Sequence, residues 1–411
     1  MAFEVPNIRH LRVFLEVVDC KSIGKASEKV FLSQPAITQA IAKLETELGT
    51  ALFQRRSDGM YVSESGTLFA FRVQRALDMI LSGLKGAMRL GGGKIKPTRL
   101  LQQLTTTQLK ALVAVTEAHN FSAAGRNMGI SQSSLHRAAR ELEGLLGVVL
   151  FEKNSLGIGY TKAARILSRA CKLAFSEIHQ GRDEVDALHN REVGQLVIGS
   201  MPLARTSVLP HAIIQFSDQH ADFRLKIQDG SYDDLLYHLR HGEIDLLLGA
   251  LRFPPPAEDI EQEELFCSPV EIVARPDHPL FHVPQVTLSM LRGYPWVVPH
   301  EGTPTRAIFE SLFVDAGLST PERLVESGSQ LLIKSLLLDS DRLTIISENQ
   351  IQYELSMGTL KSVPYDLVDA TRPIGITVRR SWKPTKTQLS FLEKLRSSEL
   401  IKTINKPNKT P

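Results

Sequence analysis

The segments VFLSQPAITQAIAKLETELGTALFQR (Val30–Arg55) and MGISQSSLHRAARELEGLLGVVLFEK (Met128–Lys153) follow one pattern that occurs twice in the chain. Four residue pairs of the first segment recur 98 positions later in the second: Ser33-Gln34 as Ser131-Gln132, Leu44-Glu45 as Leu142-Glu143, Leu48-Gly49 as Leu146-Gly147, and Leu52-Phe53 as Leu150-Phe151. A constant offset over so many positions indicates that one structural unit is repeated.

Each copy contains an amphipathic helix, a short helix and a third helix that begins at Ser33 or Ser131. The short helices have the serine N-cap candidates Ser22 and Ser122, which lie 100 rather than 98 residues apart, so the alignment of the copies stays open there. The third helix has a polar first turn and an apolar stripe along its back. A helix of this kind is what a helix-turn-helix protein inserts into the major groove of DNA.

Specific side chains of the third helix could contact DNA. Gln34 can bind adenine bidentately, Thr38 and Gln39 can reach base edges, and Pro35 favours the helix start. Arg55 and Arg56 follow on a segment expected to form a wing, where guanidinium groups bind phosphates. The predicted DNA contacts are Ser33, Gln34, Pro35, Ala36, Thr38, Gln39, Lys43, Arg55 and Arg56 in copy one, and Ser131, Gln132, Ser133, Ser134, Arg137, Arg140 and Lys153 in copy two.

The stretch from His10 to Arg55 resembles the N-terminal domain of LysR-type transcriptional regulators along its length. The segment VSESG (Val62–Gly66) resembles the motif at the C-terminal end of that domain. Copy two resembles the same winged helix-turn-helix from Leu104 to Ala164, whereas most members of the family carry one such domain. In that family the helix after the domain pairs two subunits. Apolar residues at helical spacing follow both copies here, so we expect two dimerisation helices; packing of each helix on its own domain is the alternative.

The two copies depart from the family pattern in different ways. Copy one keeps Ser-Gln-Pro-Ala but has Gln39 and Ala42 where the family often has arginine. Copy two lacks the Pro-Ala pair and keeps Arg137 and Arg140. Charge favours copy one, since residues 1–100 carry a net charge of +6 and residues 101–190 a net charge of +2. Either both copies bind DNA, with copy one essential, or one copy serves assembly only.

From Gln195 onward, short apolar runs alternate with helical patterns, which indicates an α/β architecture. This part resembles the family's two-lobed, periplasmic-binding-protein-like effector domain, in which LFCSPVEIVARPDHP and TRPIGITV would cross between the lobes. Its sequence is similar to that of the galactose-binding-protein regulator branch of the family, which implies a sugar effector. Strand-to-helix corners would hold the effector. The candidate residues are Ser200, Gly230, Ser231, Gly249, Ala250, Thr303, Arg306, Ser327 and Ser329, although each serine is individually a stronger helix-cap candidate.

The whole chain of 411 residues is expected to form several domains. Residues 1–190 have a net charge of +8 and the remaining residues a net charge of −5, so only the first part is expected to attract and bind a polyanion. Three separated cysteines, expected to be small buried thiols, fit a reduced cytoplasm. The N-terminus has no apolar signal region, and no apolar run approaches the ~18 residues that a membrane helix needs.

The predicted protein is a cytoplasmic homodimeric or homotetrameric regulator that binds double-stranded DNA and a small effector, without a cofactor, metal or membrane partner. Activation and repression are both open. An enzyme is the competing class, but hydrolase, zinc-protease and phosphate-loop motifs do not occur. A sequence-independent DNA-organising protein is a third reading, which the acidic C-terminal part disfavours.

The predicted fold is multidomain, with two all-α winged helix-turn-helix units and an α/β two-lobed domain. The predicted boundaries are 7–66 for copy one, 67–103 for its linker helix and Gly-rich joint, 104–163 for copy two, 164–190 for the second linker helix, 193–400 for the effector domain and 401–411 for a flexible tail.

Overall fold

The computed structural model describes residues 4–56, 59–93, 95–118, 120–154, 157–191, 193–206, 208–368 and 370–397. The chain divides into two compact units. The first takes the chain up to Gln195 with the short segments Asp222–Arg224 and His241–Glu243, and the second takes the rest. The tail predicted at residues 401–411 lies outside the described residues.

The first unit contains the same succession of elements twice. The first set is α1 (Ile8–Cys20), α2 (Ile23–Val30), α3 (Gln34–Leu48), β1 (Phe53–Arg56), β2 (Gly59–Val62) and α4 (Glu64–Gly91). After the short α5 (Pro97–Gln103), the second set is α6 (Thr106–Ala118), α7 (Phe121–Met128), α8 (Gln132–Leu146), β3 (Phe151–Asn154), β4 (Gly157–Tyr160) and α9 (Lys162–Leu188). Each set includes an antiparallel two-stranded sheet. The predicted all-α class is corrected to this extent, because the wing is a β-hairpin.

The start of the second helix in copy two differs from the prediction. Ser22 caps α2 as expected, but the cap of α7 is Asn120 and not Ser122. The Asn120 side chain accepts hydrogen bonds from the backbone N–H groups of Ser122 at 2.7 Å and Ala123 at 3.3 Å. Ser22 and Asn120 are 98 residues apart, so the constant offset between the copies extends through this turn. Both residue types suit an N-cap, which is why sequence alone favoured the wrong one.

The long helices α4 and α9 carry the apolar stripes predicted to pair subunits. The stripe of α4 includes Val73, Leu77, Ile80, Leu84 and Ala87, all buried. The stripe of α9 is buried as well, at Leu167, Cys171, Ala174, Ile178, Gly181 and Val185. The two helices pack against each other along their length inside the first unit. Helix α4 ends at Gly91, within the Gly-rich joint, and α5 begins at Pro97.

The second unit is an α/β structure. In order it contains β5 (Gln195–Ser200), α10 (Pro202–Thr206), α11 (Val208–Ser217), β6 (Arg224–Gln228), α12 (Tyr232–Arg240), β7 (Leu246–Ala250), β8 (Ile260–Ala274), α13 (Leu288–Gly293), β9 (Trp296–Val298), α14 (Pro304–Val314), β10 (Leu324–Glu326), α15 (Gln330–Leu338), β11 (Leu343–Ser347), α16 (Glu348–Ser356), β12 (Lys361–Ser362), β13 (Thr371–Arg379) and α17 (Lys386–Ser397). The strand order is β10-β9-β11-β8-β13-β7-β5-β6, with β12 on β8.

Strand β8 contains the first ten residues of the segment LFCSPVEIVARPDHP, and β13 contains all of TRPIGITV, the two segments that were predicted to cross between lobes. They pair antiparallel from Thr371 opposite Pro269 to Arg379 opposite Ile260. On its other side β13 pairs with β7, whereas β8 also pairs with β11. The strands of the first half and those of the second half are therefore joined through these two long strands.

The three cysteines do not share one environment. Cys171 is buried in the first unit, and burial raises the pKa of its thiol. Cys20 is half-buried and Cys267 is exposed, so the expectation of small buried thiols is wrong for Cys267, which lies on a strand face turned to solvent. Within the described ranges, no helix is both long and apolar enough to span a bilayer.

Candidate DNA interface and effector site

Helix α3 presents the polar residues predicted to contact DNA on one surface. Its apolar back, which includes Ile37, Ile41 and Leu44, is buried in the first unit. The Ser33 hydroxyl caps the helix by accepting a hydrogen bond from the N–H of Ala36 at 3.4 Å. The opposite side of the helix has the exposed residues Ser33, Gln34, Pro35, Gln39 and Lys43 and the half-buried residues Ala36 and Thr38. This is the arrangement that a major-groove recognition helix needs.

Helix α8 presents the corresponding surface of copy two. Its back is buried at Leu135, Ala138, Ala139, Leu142 and Leu146. The Ser131 hydroxyl caps the helix, accepting from the N–H of Ser134 at 3.1 Å, and also lies 3.0 Å from the Ser133 hydroxyl. The predicted contacts Ser131, Gln132, Ser133, Ser134, Arg137 and Arg140 are all exposed. Sequence reasoning missed the exposed His136, which lies between them on this surface and packs against Phe121 in a tilted arrangement, with the ring centroids 5.0 Å apart.

The two recognition helices differ in how far their polar groups are already engaged. Gln132 accepts a hydrogen bond from Ser122 at 2.7 Å, and the position equivalent to Ser122 in copy one is Gly24, which has no side chain to donate. Arg140 forms an ion pair with Glu143 at 2.7 Å, while Arg137 is 76% exposed and 3.9 Å from Glu141. Gln34 is therefore less engaged than its counterpart in copy two.

A glutamate in each copy connects the recognition helix to the wing. Glu45 Oε1 accepts hydrogen bonds from the N–H groups of Leu52 at 2.8 Å and Phe53 at 3.4 Å. Glu143 makes the same pair of bonds to Leu150 at 2.8 Å and Phe151 at 3.0 Å. These bonds fix the start of each hairpin relative to its recognition helix. Arg55 and Arg56 lie on β1 and Lys153 on β3, near the tips of the hairpins.

We expect the substitution Glu45→Ala to lower the free energy of unfolding of the full chain by about 1–3 kcal/mol, because it leaves two N–H groups of a buried segment without a partner. Chemical denaturation followed by circular dichroism measures this change. Glu28→Ala is the matched control, since Glu28 is an exposed helical residue of the same copy. Equal unfolding free energies for the two variants would contradict the assigned role of Glu45.

The predicted effector residues of the first half of the second unit fall into two groups. Ser200, Gly249 and Ala250 are buried at the ends of the neighbouring strands β5 and β7. The space that a side chain at Gly249 would need is occupied by Met201. Gly230 and Ser231 are exposed, and the Ser231 hydroxyl caps α12 through the N–H of Asp234 at 3.2 Å. Ser231 is thus an N-cap residue, which is the structural role that a serine at a helix start often has.

The predicted residues of the second half are engaged with their own helices. Thr303 caps α14 and donates its hydroxyl hydrogen to the carbonyl of His300 at 2.7 Å. Arg306 is buried and donates to Glu310 at 2.7 Å, to the Pro299 carbonyl at 3.2 Å and to Glu326 at 3.4 Å. Ser327 is buried and accepts from the N–H of Ser329, which caps α15. These contacts make Arg306 a structural residue in this state.

A cavity of about 530 Å³ lies at the start of α14. Thr303, Pro304 and Ala307 line it from the helix, and Arg252 and Pro373 line it from the chain around β7 and β13. Arg252 also lies over the ring of Tyr232, with the guanidinium carbon 3.7 Å from the ring centroid. Of the predicted effector residues, only Thr303 lines this cavity.

Arg372, next to Pro373 on β13, is a candidate effector residue that sequence reasoning missed. Its Nη1 donates to the hydroxyls of Thr305 at 2.5 Å and Ser347 at 3.5 Å, both neutral acceptors. Its Nε is buried and has no hydrogen-bond partner among the described residues. Burial lowers the pKa of this guanidinium to about 10, so it remains charged at neutral pH. An arginine within the apolar run TRPIGITV was the available signal, since strand interiors rarely hold an unpaired charge.

Comparison with known proteins gives matches along most of the chain. The family model of the bacterial regulatory helix-turn-helix protein, lysR family, matches residues 8–67 and 106–165. The family model of the LysR substrate binding domain matches residues 189–399. The chain is 33% identical over 377 residues to the HTH-type transcriptional regulator GalR of Pseudomonas putida, covering 92% of this chain and 93% of that protein.

Other relatives match a smaller share of the chain. PcaQ of Agrobacterium fabrum is 25% identical and is covered over 96% of its own length, but the match takes only 72% of this chain. Among solved structures, CbnR, a LysR family transcriptional regulator, has a TM-score of 0.49 and 20% identity, covering 70% of this chain and 97% of CbnR. In the part of the chain that the structure describes, no group of three or more His, Cys, Asp or Glu side chains could hold a metal ion.

Proposed function

The chain belongs to the LysR family of bacterial helix-turn-helix regulators, and we propose that both helix-turn-helix units bind operator DNA while a small molecule in the second unit modulates that binding. The family match confirms the expectation of a DNA-binding transcriptional regulator with an effector-binding domain, and not an enzyme. The observation that carries the proposal is the exposed polar surface of α3 and its counterpart on α8, each on a helix with a buried apolar back.

We propose that the two helix-turn-helix units are a tandem duplication. The repeated residue pairs at an offset of 98, the shared cap positions and the two matches to one family model support this. The relatives support it too, because PcaQ is matched over almost its full length by only 72% of this chain. The remaining part of the chain is about the size of one more helix-turn-helix unit with its helix.

Base contacts are assigned mainly to the first turn of each recognition helix. Gln34 can form the bidentate pair with adenine, and Thr38 and Gln39 lie one turn further along. Arg55, Arg56 and Lys153 are assigned to phosphates, where they set position and not sequence. In copy two, Arg137 and Arg140 can bind guanine or phosphate, and Ser133 and Ser134 are short donors next to them.

The effector is proposed to be a sugar, on the sequence resemblance noted for the second unit. Arg372 supports a narrower choice, namely a sugar that carries a carboxylate. Arg372 is half-buried, donates to two hydroxyl groups and has a buried Nε without a partner among the described residues, so it gains most from a ligand that supplies a negative charge. The start of α14 at Thr303, which lines the cavity, would hold a neutral oxygen of the same ligand.

A footprint on the upstream region of the protein's own gene tests the role of copy two. We expect the protected region to become shorter when Arg137→Ala and Arg140→Ala are combined, because the second recognition helix then loses two charged contacts with DNA. Arg126→Ala, at the exposed end of α7, is the control for a simple loss of positive charge. A footprint of unchanged length would mean that copy two serves assembly, and protection that changes with a sugar acid would support the effector class.

A further inference from the structure

The two helix-turn-helix units are joined through α4 and α9, which run antiparallel. Arg72, near the start of α4, contacts Glu184 near the end of α9, and Gly83 further along α4 lies against Leu167 and Ala170 near the start of α9. A Cβ atom at Gly83 would be 2.4 Å from the Cβ of Ala170, so the backbones come close there. The five-residue connection from Gly92 to Lys96 leads directly from α4 into the second copy.

The contacts between the copies are reciprocal under the offset of 98. Gly83 lies against Leu167 and Ala170, and the equivalent Gly181 lies against Phe69 and Arg72, which are the equivalents of those two residues. An interface in which residue i contacts j and the equivalent of j contacts the equivalent of i has two-fold symmetry. The two halves of the first unit therefore meet as the subunits of a symmetric dimer do.

Further pairs repeat the same reciprocity. Gly91 lies against Val148, and their equivalents His189 and Thr50 are hydrogen-bonded at 3.0 Å. Arg12 donates to the Gln102 carbonyl at 3.0 Å, and the equivalents Lys110 and Glu4 form an ion pair at 3.1 Å. The N–H of Ile8 donates to the hydroxyl of Thr106, which occupies the position equivalent to Ile8 in the second copy. Equivalent residues contact each other in this way where they lie on a two-fold axis.

One buried ion cluster breaks this symmetry. Arg72, only 1% exposed, binds Glu184 at 2.9 Å and 2.5 Å and Glu177 at 3.1 Å, and Arg75 binds Glu177 at 2.9 Å and 2.7 Å. Gln180 accepts a further hydrogen bond from Arg72 at 2.9 Å. The equivalents of these charged residues carry no charge: Ala170 for Arg72, Leu173 for Arg75, Met79 for Glu177 and Gly86 for Glu184.

The cluster discriminates between possible helix pairs. If α4 paired with α4 of a second chain in the same register, Arg72 would be buried against Met79 and Gly86 without a carboxylate. If α9 paired with α9, Glu177 would be buried against Ala170 and Leu173 without a cation. A buried charge that loses its partner is strongly destabilising, so both like-with-like pairings are disfavoured and the mixed pairing is selected.

We infer that the first unit is a single-chain counterpart of a helix-turn-helix dimer, held by α4 and α9 of the same chain, and that one chain carries both recognition helices for an operator with two half-sites. The second part of this inference rests on the proposed function. The seam that the sequence suggested would pair two subunits is thus used inside one chain, and a larger oligomer would use other surfaces.

Zero-length crosslinking of the full-length protein tests the inference without any substitution. A carbodiimide joins Lys110 to Glu4, whose Nζ and Oε2 atoms are 3.1 Å apart. In an equal mixture of unlabelled and ¹⁵N-labelled chains that has been unfolded and refolded together, we expect every Lys110–Glu4 linked peptide to be wholly light or wholly heavy. Linked peptides of mixed label at about half of the total would overturn the inference, because the contacts would then join different chains.

Charge reversal gives a second test that uses thermal unfolding and not DNA. Arg72→Glu with Arg75→Glu, and separately Glu177→Arg with Glu184→Arg, should each lower the unfolding midpoint of the full chain. Combining the four substitutions in one chain should raise the midpoint above both, whereas mixing and refolding the two double variants should not. Recovery in the mixture would overturn the inference, whether or not the fourfold variant also recovers. Lys85→Glu with Arg89→Glu is the control, because both residues lie on the exposed side of α4.

The stoichiometry on DNA completes the test. Native mass spectrometry with a short operator duplex should show one chain occupying two half-sites, and two chains required for two half-sites would overturn the DNA part of the inference. If no specific duplex binds while the crosslinks remain within single chains, the proposed function fails and the single-chain pairing stands.

Discussion

Replacing Gln34 with alanine is expected to lower the affinity for the specific operator by about tenfold to a hundredfold, because one bidentate base contact discriminates by about 1–3 kcal/mol. Binding to unrelated DNA should change little, since that binding comes from phosphate contacts. The structure provides the reason for choosing this residue. Gln34 is exposed at the first turn of α3, and its counterpart Gln132 already accepts a hydrogen bond from Ser122.

Fluorescence anisotropy with operator and scrambled duplexes at several salt concentrations measures both quantities. Gln132→Ala is the matched variant, and we expect a smaller loss for it, as for Arg137→Ala. Arg55→Ala should instead weaken binding to the operator and to the scrambled duplex by a similar factor, with a salt dependence shallower by about one unit of slope, as loss of one phosphate contact requires. Wild-type operator affinity in the Gln34 and Arg55 variants would refute the assignment of copy one as the main DNA-binding unit.

Replacing Arg372 with leucine is expected to abolish the response of DNA binding to an acidic effector while leaving the fold intact or more stable. Arg372 is half-buried, it donates to the hydroxyls of Thr305 and Ser347, and its buried Nε has no hydrogen-bond partner among the described residues, so its removal relieves a partly desolvated charge. Loss of response together with an unchanged or higher unfolding temperature separates a ligand contact from a structural arginine. A structural ion pair such as that of Arg306 with Glu310 would give a lower temperature instead.

The effector experiment uses thermal shift of the full-length protein with paired ligands, a neutral hexose and the corresponding hexuronic acid. The wild type should be stabilised more by the acid, by the amount RT ln(1 + [L]/Kd). Arg372→Leu should lose this preference, Arg372→Lys should keep part of it, and the exposed Arg380→Ala should keep all of it. Equal stabilisation of wild type and Arg372→Leu by the acid would exclude the proposed role of Arg372.

The sequence predicted those features that depend on local periodicity. The recognition helices, the wing positions and most strands of the second unit follow from apolar spacing and cap residues close in the chain. The N-cap at Asn120 could not be chosen over Ser122, because both residues can cap and only the backbone at Asn120 decides between them. The structure places the cap at Asn120, 98 residues after Ser22, so the offset between the two copies is the same here as elsewhere.

Two other features depend on contacts between distant residues. The α4 stripe is apolar enough to pair with any similar helix, so periodicity could not distinguish a partner chain from α9. The choice depends on Arg72 meeting Glu177, 105 positions away. Arg372 was missed for a related reason. Its importance comes from a buried Nε that has no hydrogen-bond partner within the described part of the folded chain, and a strand sequence does not contain that information.

In the single-chain dimer inferred above, the fixed pairing of two non-identical recognition helices would give the bound protein a direction along DNA. A homodimer on a palindromic site presents the same contacts in either orientation. A chain that holds the glutamine-containing surface of α3 on one half-site and the arginine-containing surface of α8 on the other has only one favourable orientation. The two half-sites can then differ in sequence, and each can change by substitution in one recognition helix without altering the other.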